Sequence, residues 1–400
     1  MEKMKVCFVG CGSFARNFVP LMKAHPYVEK VYVCDLIAER AQEYAEKFQV
    51  EIIPTLEDAL KSKEINTIAV FTQRHRHGPI VKAALNAGKH VYSAVPMGVS
   101  VEECLEIVEL VKKTGLTYMM GETCIYYPCS MYCKQEYEKG TFGRFVYAEA
   151  QYHHDISHFP AHFVADKKSA GVPPFFYPTH STAMVLNAVG SYAKKVVAFG
   201  YEELPGNGIY EKGINIWDNV YSNGFSLMKL ANGGTARINE CRRIGYKAPS
   251  SYISAFYGEK AGYQFNNAQH LLTHLTKEGV DLEDVSAQVN PREMEKHRGE
   301  ENFVHQVANH GWQWDMPSPM QDERRSTLPE SYQGIKDGHM ASHQLLIDDF
   351  CTAVYFHKMP TVNAWQAARF TMPGLLAHES MLRDGEAIDV PDCGDAPESL

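Results

Sequence analysis

Residues 4–15 read Met-Lys-Val-Cys-Phe-Val-Gly-Cys-Gly-Ser-Phe-Ala, and this stretch decides the fold of the first part of the chain. Its first six residues are an apolar run typical of a buried strand, and Gly10 and Gly12 follow at once. An amphipathic pattern comes next, and a second apolar run at residues 31–34 ends at Asp35. Strand, glycine turn, helix, strand and acid in this order predict a dinucleotide-binding unit. The pyrophosphate would lie at the helix N-terminus and the ribose at the acid.

Composition and charge narrow the class of protein. The chain has 400 residues and a formal net charge of −9, with 45% apolar and 22% charged residues. This length favours two domains, and the acidic balance argues against nucleic acid or a membrane surface as a partner. No apolar run approaches the ~20 residues of a membrane span. No signal-peptide pattern precedes the first strand and the ten cysteines form no paired framework, so we expect a cytoplasmic protein with reduced thiols.

Strand and helix patterns alternate over the first ~120 residues, which predicts a parallel sheet with right-handed crossovers. We therefore predict a Rossmann NAD-binding domain over residues 1–123 of an α/β protein. The predicted strands are 4–9, 30–34, 51–53, 67–71, 90–92 and 117–120. The predicted helices are 13–25, 37–48, 56–61, 78–88 and 101–114.

Residues 124–400 have a different pattern and predict a second α/β domain. Alternating apolar and polar runs indicate antiparallel strands of one large open sheet at 144–153, 195–201, 222–230, 234–241 and 252–257. Helical patterns accompany them at 128–139, 178–190, 340–357 and 363–382. Residues 262–336 are polar and weakly periodic, so we expect a partly ordered insertion or an oligomer arm there.

The glycine turn supplies the first candidate cofactor-binding residues. One glycine allows the tight turn, the second lets the backbone approach the phosphates, and a small third residue allows close helix–strand packing. The predicted contacts are Gly10, Gly12, Ser13, Phe14 and Ala15. Asp35 favours NAD because a carboxylate repels the 2′-phosphate of NADP, although Arg40 offers that phosphate a contact.

Polar residues also follow the fourth strand, at the sheet edge where ligands bind in such folds. Thr72 is placed to reach the cofactor. His77 precedes the Gly78-Pro79 helix start, so it is either a cofactor ligand or a structural cap of that helix.

A dense group of side chains that could bind a metal lies near the end of the first antiparallel strand, at His153, His154, Asp155, His158 and His162. On a strand, His153 and Asp155 share one face and His154 takes the other, so the three cannot converge without a bend. We predict no metal site.

These motifs resemble the glucose–fructose oxidoreductase / inositol dehydrogenase (Gfo/Idh/MocA) family. The resemblance covers nearly the whole chain and rests on the glycine turn, Asp35, and the segments Thr72–His77, Lys89–Tyr92 and Ala364–Arg369. It implies a Rossmann domain followed by an α/β domain whose open, mainly antiparallel sheet supports homo-oligomers, here a dimer or tetramer. It also implies NAD as the cofactor and a carbohydrate as the substrate.

Two departures from the family's dehydrogenases are informative. Those enzymes carry Glu-Lys-Pro after the fifth strand, whereas this chain has Ala94-Val95-Pro96, with Val95 at the lysine position. They also carry Asp-x-x-x-His at the interdomain helix, whereas Phe176 stands here at the aspartate position before His180. Valine and phenylalanine can neither move a proton nor orient an imidazole. The usual acid–base groups for alcohol oxidation are therefore incomplete.

Residues 177–180, Tyr-Pro-Thr-His, are instead similar to the NAD-dependent glycosidases of this superfamily, such as the α-N-acetylgalactosaminidase group. That subgroup shares the valine–proline pair, an acid after the sixth strand and a Tyr-x-His-Asp strand. The resemblance implies cofactor contacts at Val95 and Pro96 and catalytic roles for His180, Tyr177, Tyr152 and Glu122. Because Pro178 opens a helix, Tyr177 and His180 can lie on one face of its first turn.

The reaction that this resemblance implies is hydrolysis of a glycoside through transient oxidation at sugar C3, elimination of the C1 substituent, addition of water and re-reduction. Two alternatives stay open, an NAD-dependent sugar or glycoside 3-dehydrogenase and a non-catalytic NAD or sugar sensor. The residues alone also allow His180 to be a hydrogen-bonded core histidine and Tyr152 an aromatic residue on a sheet face.

Overall fold

A computed structural model describes residues 2–156, 167–245, 250–266, 268–310 and 315–398 of the chain. The chain divides into two units. The first contains Met1–Glu122, Arg324–Arg369 and Cys393–Leu400, and the second contains Thr123–Glu323 and Phe370–Asp392.

The first unit is built on a six-stranded parallel sheet with the strand order β3-β2-β1-β4-β5-β6. The strands are β1 (Met4–Val9), β2 (Val28–Cys34), β3 (Glu51–Ile52), β4 (Thr67–Val70), β5 (His90–Ser93) and β6 (Tyr118–Met120). The helices between them are α1 (Val19–Ala24), α2 (Ala38–Phe48), α3 (Leu56–Lys61), α4 (His77–Asn86) and α5 (Val101–Thr114). The strand order reverses between β1 and β4, which is where this class of sheet binds its ligands. The predicted Rossmann domain is confirmed.

Local sequence signals explain where these helices begin and end. Thr55 and Ser100 start α3 and α5, each accepting a hydrogen bond of 3.1 Å from a backbone N–H three residues further on. Gly115 ends α5 in a left-handed conformation, at φ +66°. The predicted first helix, 13–25, is shorter than expected because Pro20 favours a helix N-terminus, and α1 begins only at Val19.

The second unit contains a nine-stranded sheet with the order β14-β13-β12-β11-β7-β10-β9-β8-β15. Its strands are β7 (Phe145–His153), β8 (Ala193–Glu202), β9 (Tyr221–Leu230), β10 (Thr235–Cys241), β11 (Ser251–Gly258), β12 (Ala261–Phe265), β13 (His270–Leu275), β14 (Val280–Asp284) and β15 (Ile388–Asp389). Neighbouring strands are antiparallel except for the central β7 and β10, which are parallel. The predicted large, mainly antiparallel sheet is confirmed.

The remaining helices complete the chain. They are α6 (Pro128–Glu138), α7 (Lys167–Ala170), α8 (Thr179–Val189), α9 (Ser286–Val289), α10 (Arg292–Glu295), α11 (Phe303–His310), α12 (Asp322–Arg325), α13 (His343–Phe356) and α14 (Ala364–Leu382). No helix in the described ranges is both long enough and apolar enough to span a membrane.

The polar stretch 262–336 differs from the sequence expectation, because much of it extends the sheet. Strands β12, β13 and β14 continue the order outward, and Tyr263 and Leu272 are buried on one face. Every residue of the edge strand β14 is exposed, so its sequence carries no alternating apolar signal. This explains why the periodicity of the stretch looked weak.

The first unit takes up the chain as far as Glu122, and residues 324–369 group with it. The apolar face of α13, including Leu346 and Phe350, is fully buried and packs with α1 and β1. A polar tie accompanies this packing, because Asp348 Oδ1 lies 3.3 Å from His25 Nε2 and Asp348 Oδ2 accepts a 2.7 Å bond from Arg324. Burial of α13 against α1 and β1 is the physical reason that residues 324–369 group with the first unit.

Candidate cofactor and substrate sites

The end of β1 requires glycine for steric reasons. Gly10 has φ +103°, and a Cβ added there would lie 2.5 Å from the backbone oxygen of Phe71. Residues with a side chain rarely adopt this backbone conformation, and moving the backbone of Phe71 aside would cost free energy. Gly10 therefore permits the close approach of the segments that follow β1 and β4.

Gly12 faces open space instead. A Cβ added at Gly12 would meet no atom within 4 Å, and the Tyr44 hydroxyl donates to the carbonyl oxygen of Gly12 from the opposite helix. Ser13 is exposed and Ala15 is fully buried. An open space at a glycine turn, bordered by backbone N–H groups, fits a phosphate-binding cradle.

Asp35 is held at the carboxyl end of β2 by two backbone groups. Its Oδ2 accepts a 2.7 Å hydrogen bond from Cys11 N, and its Oδ1 accepts a 2.8 Å bond from Ile37 N. Each carboxylate oxygen has a second lone pair, so Asp35 can still accept a bond from a ribose hydroxyl. Burial and then the charge of Asp35 raise the pKa of the Cys11 thiol to about 12, so this thiol stays protonated beside the turn.

The imidazole of His77 contacts the backbone of two other predicted cofactor-binding residues, Thr72 and Pro96. Its Nδ1 lies 2.8 Å from the carbonyl oxygen of Pro96, and its Nε2 lies 3.1 Å from the carbonyl oxygen of Thr72. Burial lowers the pKa of His77, although both carbonyl oxygens oppose that shift. The imidazole thus links the segment after β4 to the cis Val95–Pro96 peptide, which places those residues without requiring His77 to touch the cofactor.

A turn beside Phe14 was missed by the sequence analysis. The Phe14 ring makes edge contacts with His339 and His343, at 5.4 and 5.7 Å between centroids. His339, Met340 and Ala341 all have positive φ, between 47° and 59°, which is rare for three consecutive residues with side chains. Burial lowers the pKa of His343 well below its ordinary value, so this ring stays neutral. No periodic pattern or motif in the sequence signals such a turn.

In the second unit, the parallel strands β7 and β10 bring four polar side chains to one face. Tyr152 pairs with Glu240 in the register, and alternate residues of a strand share a face. The ladder continues beyond both strands through a 2.9 Å bond from His154 N to the carbonyl oxygen of Cys241. Tyr152 and His154 therefore lie beside Glu240 and Arg242.

His180 in the first turn of α8, and Tyr177 two residues before that helix, add two further side chains to this cluster. The Tyr177 hydroxyl lies 3.2 Å from Nε2 of His180. The Tyr152 ring lies 5.0 Å from the His180 ring and 5.8 Å from the Tyr177 ring. Tyr152 and His180 are each at least nine-tenths buried. The structure thus brings together Tyr152, Tyr177 and His180, which the sequence proposed for catalysis.

His154 belongs to this cluster and was not proposed as a catalytic group. The Tyr152 hydroxyl lies 2.5 Å from His154 Nδ1, within hydrogen-bonding distance. The Tyr-x-His spacing was the available signal, because residues two apart on a strand share a face.

The neighbouring residues of the suspected metal group have other partners. His153 Nδ1 lies 3.4 Å from the Tyr252 hydroxyl, and burial lowers the pKa of His153 to about 4. Asp155 Oδ2 accepts bonds of 3.1 and 3.3 Å from the backbone N–H groups of Ile244 and Gly245. His158 and His162 lie outside the described residues.

Arg242 lies across the aromatic part of the cluster. Its guanidinium carbon is 4.4 Å from the centre of the Tyr152 ring and 5.5 Å from that of Tyr177. Arg242 Nη2 is 3.6 Å from Glu240 Oε2, and the other oxygen of Glu240 accepts a bond from Ser181. A cation over a tyrosine face stabilises negative charge on that ring.

Glu122 and Phe176 were also singled out by the sequence analysis. Glu122 is fully buried at the end of the first unit, where its backbone N–H bonds the carbonyl oxygen of Met120. Phe176 packs edge-on against Trp217 and His378, at 5.5 and 5.0 Å between ring centroids. Burial lowers the pKa of His378 to about 4. The position of the family aspartate is therefore occupied by aromatic packing.

Comparison with known proteins gives a family match for the first part of the chain. Residues 4–122 match the model of the Gfo/Idh/MocA oxidoreductase family, described as having an NAD-binding Rossmann fold. The first part of the chain is thus similar to NAD-binding domains of that family, in agreement with the open glycine turn and the fixed Asp35.

Three similar proteins extend this comparison. Glycosyl hydrolase family 109 protein 5 of Phocaeicola vulgatus is 25% identical over 60% of the chain, and the match spans about half of that relative (51%). A glycosyl hydrolase family 109 protein of Saccharopolyspora erythraea is 21% identical over 98% of the chain and 83% of its own length. The solved structure of levoglucosan dehydrogenase in complex with NADH and L-sorbose has a TM-score of 0.75 at 18% identity, covering 98% of this chain and 100% of that chain. The structural likeness shows the fold.

Proposed function

We propose that this protein is an NAD-dependent glycoside hydrolase that oxidises its sugar transiently at C3. The observation that carries the proposal is the 3.2 Å contact between the Tyr177 hydroxyl and His180 Nε2, with the Tyr152 ring packed beside them. Val95 and Phe176 stand where the resembling dehydrogenases carry a lysine and an aspartate, so the usual groups for net alcohol oxidation are missing. Similarity to glycosyl hydrolase family 109 proteins supports the same activity.

The proposed cofactor contacts follow from the glycine turn. The backbone around Gly12 would hold the pyrophosphate, and Asp35 would accept a bond from a ribose hydroxyl. Ser13, Phe14, Thr72, Val95 and Pro96 stay proposed neighbours of the cofactor. Bound NAD would supply a hydride acceptor and donor at sugar C3.

The overall reaction balances without net oxidation. Loss of a hydride from C3 and of the proton from its hydroxyl gives a ketone, which acidifies the C2–H bond. A base removes the C2 proton, the electron pair forms a C1=C2 double bond, and the aglycone leaves C1 with a proton. Water then adds to C1 as C2 regains a proton, and return of the hydride and a proton restores the C3 alcohol.

The side-chain cluster offers groups for these proton transfers. His180 is proposed to exchange the proton of a sugar hydroxyl, because imidazole can accept and donate protons near neutral pH. Tyr177 would orient that imidazole through the 3.2 Å contact. Tyr152 is proposed as the base for the C2 proton, since its own proton can pass to His154 and Arg242 lies over its ring. Glu122 stays a candidate for proton transfer because of the family resemblance.

Aryl glycosides in D₂O test this proposal. Purified protein loaded with NAD should release the aglycone, and the recovered sugar should carry deuterium at C2. Tyr152→Phe should lower kcat by about 10² or more, whereas Tyr147→Phe is a matched control because Tyr147 lies on the same strand and bonds Glu149 instead. Release of the aglycone with hydrogen retained at C2 would contradict the elimination step.

A sugar or glycoside 3-dehydrogenase is the second candidate function. It is favoured by the likeness in fold to solved dehydrogenases such as the one described above. This activity would produce NADH in proportion to free sugar, which absorbance of the reduced nicotinamide measures directly. Aglycone release with no accumulation of NADH would exclude it.

We also propose that the protein is a homo-oligomer, a dimer or tetramer, that uses the open face of the sheet. Phe199 and Phe225 pair across β8 and β9 and are 59% and 39% exposed, and Leu227 is also exposed on that surface. Apolar groups clustered in this way favour a partner surface. Light scattering coupled to gel filtration measures the mass.

The proposed cytoplasmic location is supported by nine of the ten cysteines being buried.

A further inference from the structure

Arg242 is a buried cation whose hydrogen-bonding capacity is only partly used. The residue is 4% exposed, and among the described residues no hydrogen-bond partner reaches its Nη1. A buried N–H group without a partner costs free energy, and more so when it is charged. A ligand that accepts a hydrogen bond at Nη1 would remove this cost.

The nearest acid does not satisfy the guanidinium. Glu240 Oε2 lies 3.6 Å from Nη2, longer than the ~2.7–2.9 Å of a charge-assisted hydrogen bond. The other oxygen of Glu240 accepts the Ser181 hydroxyl. Asp155, the other buried acid nearby in sequence, accepts two backbone N–H groups of residues 244 and 245. Nη1 of Arg242 can therefore donate a hydrogen bond to an external anion.

The backbone of Arg242 is fixed on both sides, as a binding group requires. Its N–H bonds the carbonyl oxygen of Ser222 and the side-chain oxygen of Asn223, both at 3.0 Å. Its carbonyl oxygen accepts a 2.8 Å bond from Ile156 N. Asn223 also donates a 2.7 Å bond to the carbonyl oxygen of Arg243. This anchoring reduces the ordering that a ligand would otherwise have to impose.

Arg242 lies next to the side chains that are proposed to be catalytic. The guanidinium lies against the faces of Tyr152 and Tyr177, so a group bound at Nη1 belongs to a molecule beside the catalytic cluster. A guanidinium prefers carboxylate or phosphate acceptors because their geometry matches its planar donors. We infer that Arg242 selects a sugar bearing a carboxylate, such as a uronic acid glycoside. The inference that the ligand is a sugar rests on the proposed glycosidase activity.

Binding measurements test the selection without requiring turnover. Calorimetry on the full-length, NAD-loaded protein would compare 4-nitrophenyl glucuronides and galacturonides of both anomers with the corresponding neutral glucosides and galactosides. Wild-type protein should bind at least one acidic glycoside about tenfold or more tightly than its neutral counterpart. Equal binding, preference for every neutral partner, or no binding of any acidic glycoside at millimolar concentration would overturn the inference.

Substitutions assign the preference to Arg242. Arg242→Gln should abolish the difference between acidic and neutral ligands, and Arg242→Lys should keep only part of it because lysine lacks the planar donors. Arg243→Gln is the matched control, since the neighbouring Arg243 contacts Glu203 and should leave the ratio unchanged. If Arg242→Gln fails to fold, Glu240→Gln/Arg242→Gln removes both charges and carries the test. An unchanged ratio in the Arg242 variants would overturn the inference.

Two further outcomes separate this inference from the proposed function. Selective binding of acidic glycosides with no aglycone release would refute the hydrolase proposal and support the inference. Aglycone release at equal efficiency from acidic and neutral glycosides would support the hydrolase proposal and refute the inference. Glucose 6-phosphate and inorganic phosphate complete the panel, and preference for the sugar phosphate over every acidic glycoside would overturn the choice of carboxylate.

Discussion

Replacing Gly12 with alanine should separate cofactor binding from folding. The added Cβ meets no atom within 4 Å, so the protein without cofactor has no contact to relieve. Stability should stay the same or rise by up to ~1 kcal/mol, because alanine restricts the unfolded chain. Cofactor binding should weaken because the methyl group fills the space through which the phosphates approach.

The size of this effect follows from the hydrogen bonds involved. Loss of one bond between a backbone N–H and a charged phosphate oxygen costs about 1.5–3 kcal/mol. Since 1.4 kcal/mol is tenfold in affinity, Gly12→Ala should raise the Kd for NAD by about 10- to 150-fold. Calorimetric titration with NAD measures this change, and urea unfolding without NAD measures stability.

Gly10→Ala provides the contrast within the same turn. Its Cβ would lie 2.5 Å from the Phe71 carbonyl oxygen at φ +103°, so the backbone must shift. We expect a loss of about 2–4 kcal/mol in the free energy of unfolding, from strain and displaced packing. Wild-type NAD affinity in Gly12→Ala, or a loss of stability as large as that of Gly10→Ala, would refute the reasoning.

Three further outcomes are expected. Burial would raise the pKa of Asp348, but hydrogen bonds from His25 and Arg324 outweigh it and hold that pKa below its ordinary 3.8. The resulting stability is present above pH ~4 and is lost as the pH falls through the lowered pKa, so urea unfolding of Asp348→Asn should show less acid dependence than wild type. Phe176→Asp should lower the free energy of unfolding by about 2–4 kcal/mol without NADH-producing activity, because a charge replaces aromatic packing. An intact melting curve with new dehydrogenase activity would contradict this. Phe199→Asp should reduce the mass measured by light scattering, and an unchanged mass would count against the sheet face as the interface.

The sequence predicted features whose causes lie close together in the chain. The glycine turn, the alternation of strands and helices, and the helices at 56–61 and 101–114 depend on neighbouring residues, so their positions agree with the structure to within a few residues, apart from the start of the first helix. The pairing of Tyr177 with His180 also follows from local spacing at the start of a helix.

Features that depend on distant contacts escaped prediction. The position of Arg242 over Tyr152 requires the parallel pairing of β7 with β10, which no local pattern encodes. The left-handed turn at 339–341 has no sequence signature, since its residues are not glycines. The edge strand β14 lacked an alternating pattern because both of its faces are exposed. In each case tertiary context, rather than local propensity, decides the conformation.

The return of residues 324–369 to the first unit has a consequence for protein synthesis. The apolar side of α1, including Met22, packs near Cys351 on α13, and their sulfur atoms are 3.7 Å apart. About 200 residues separate the two parts in the chain, so at ~5–20 residues per second the ribosome needs about 10–40 s to supply the missing helix. Throughout that interval the nascent glycine-turn domain exposes surface that the finished protein buries. Its completion is therefore tied to translation of the later segment, and a release after residue 122 should yield an aggregation-prone fragment rather than a small working cofactor-binding protein.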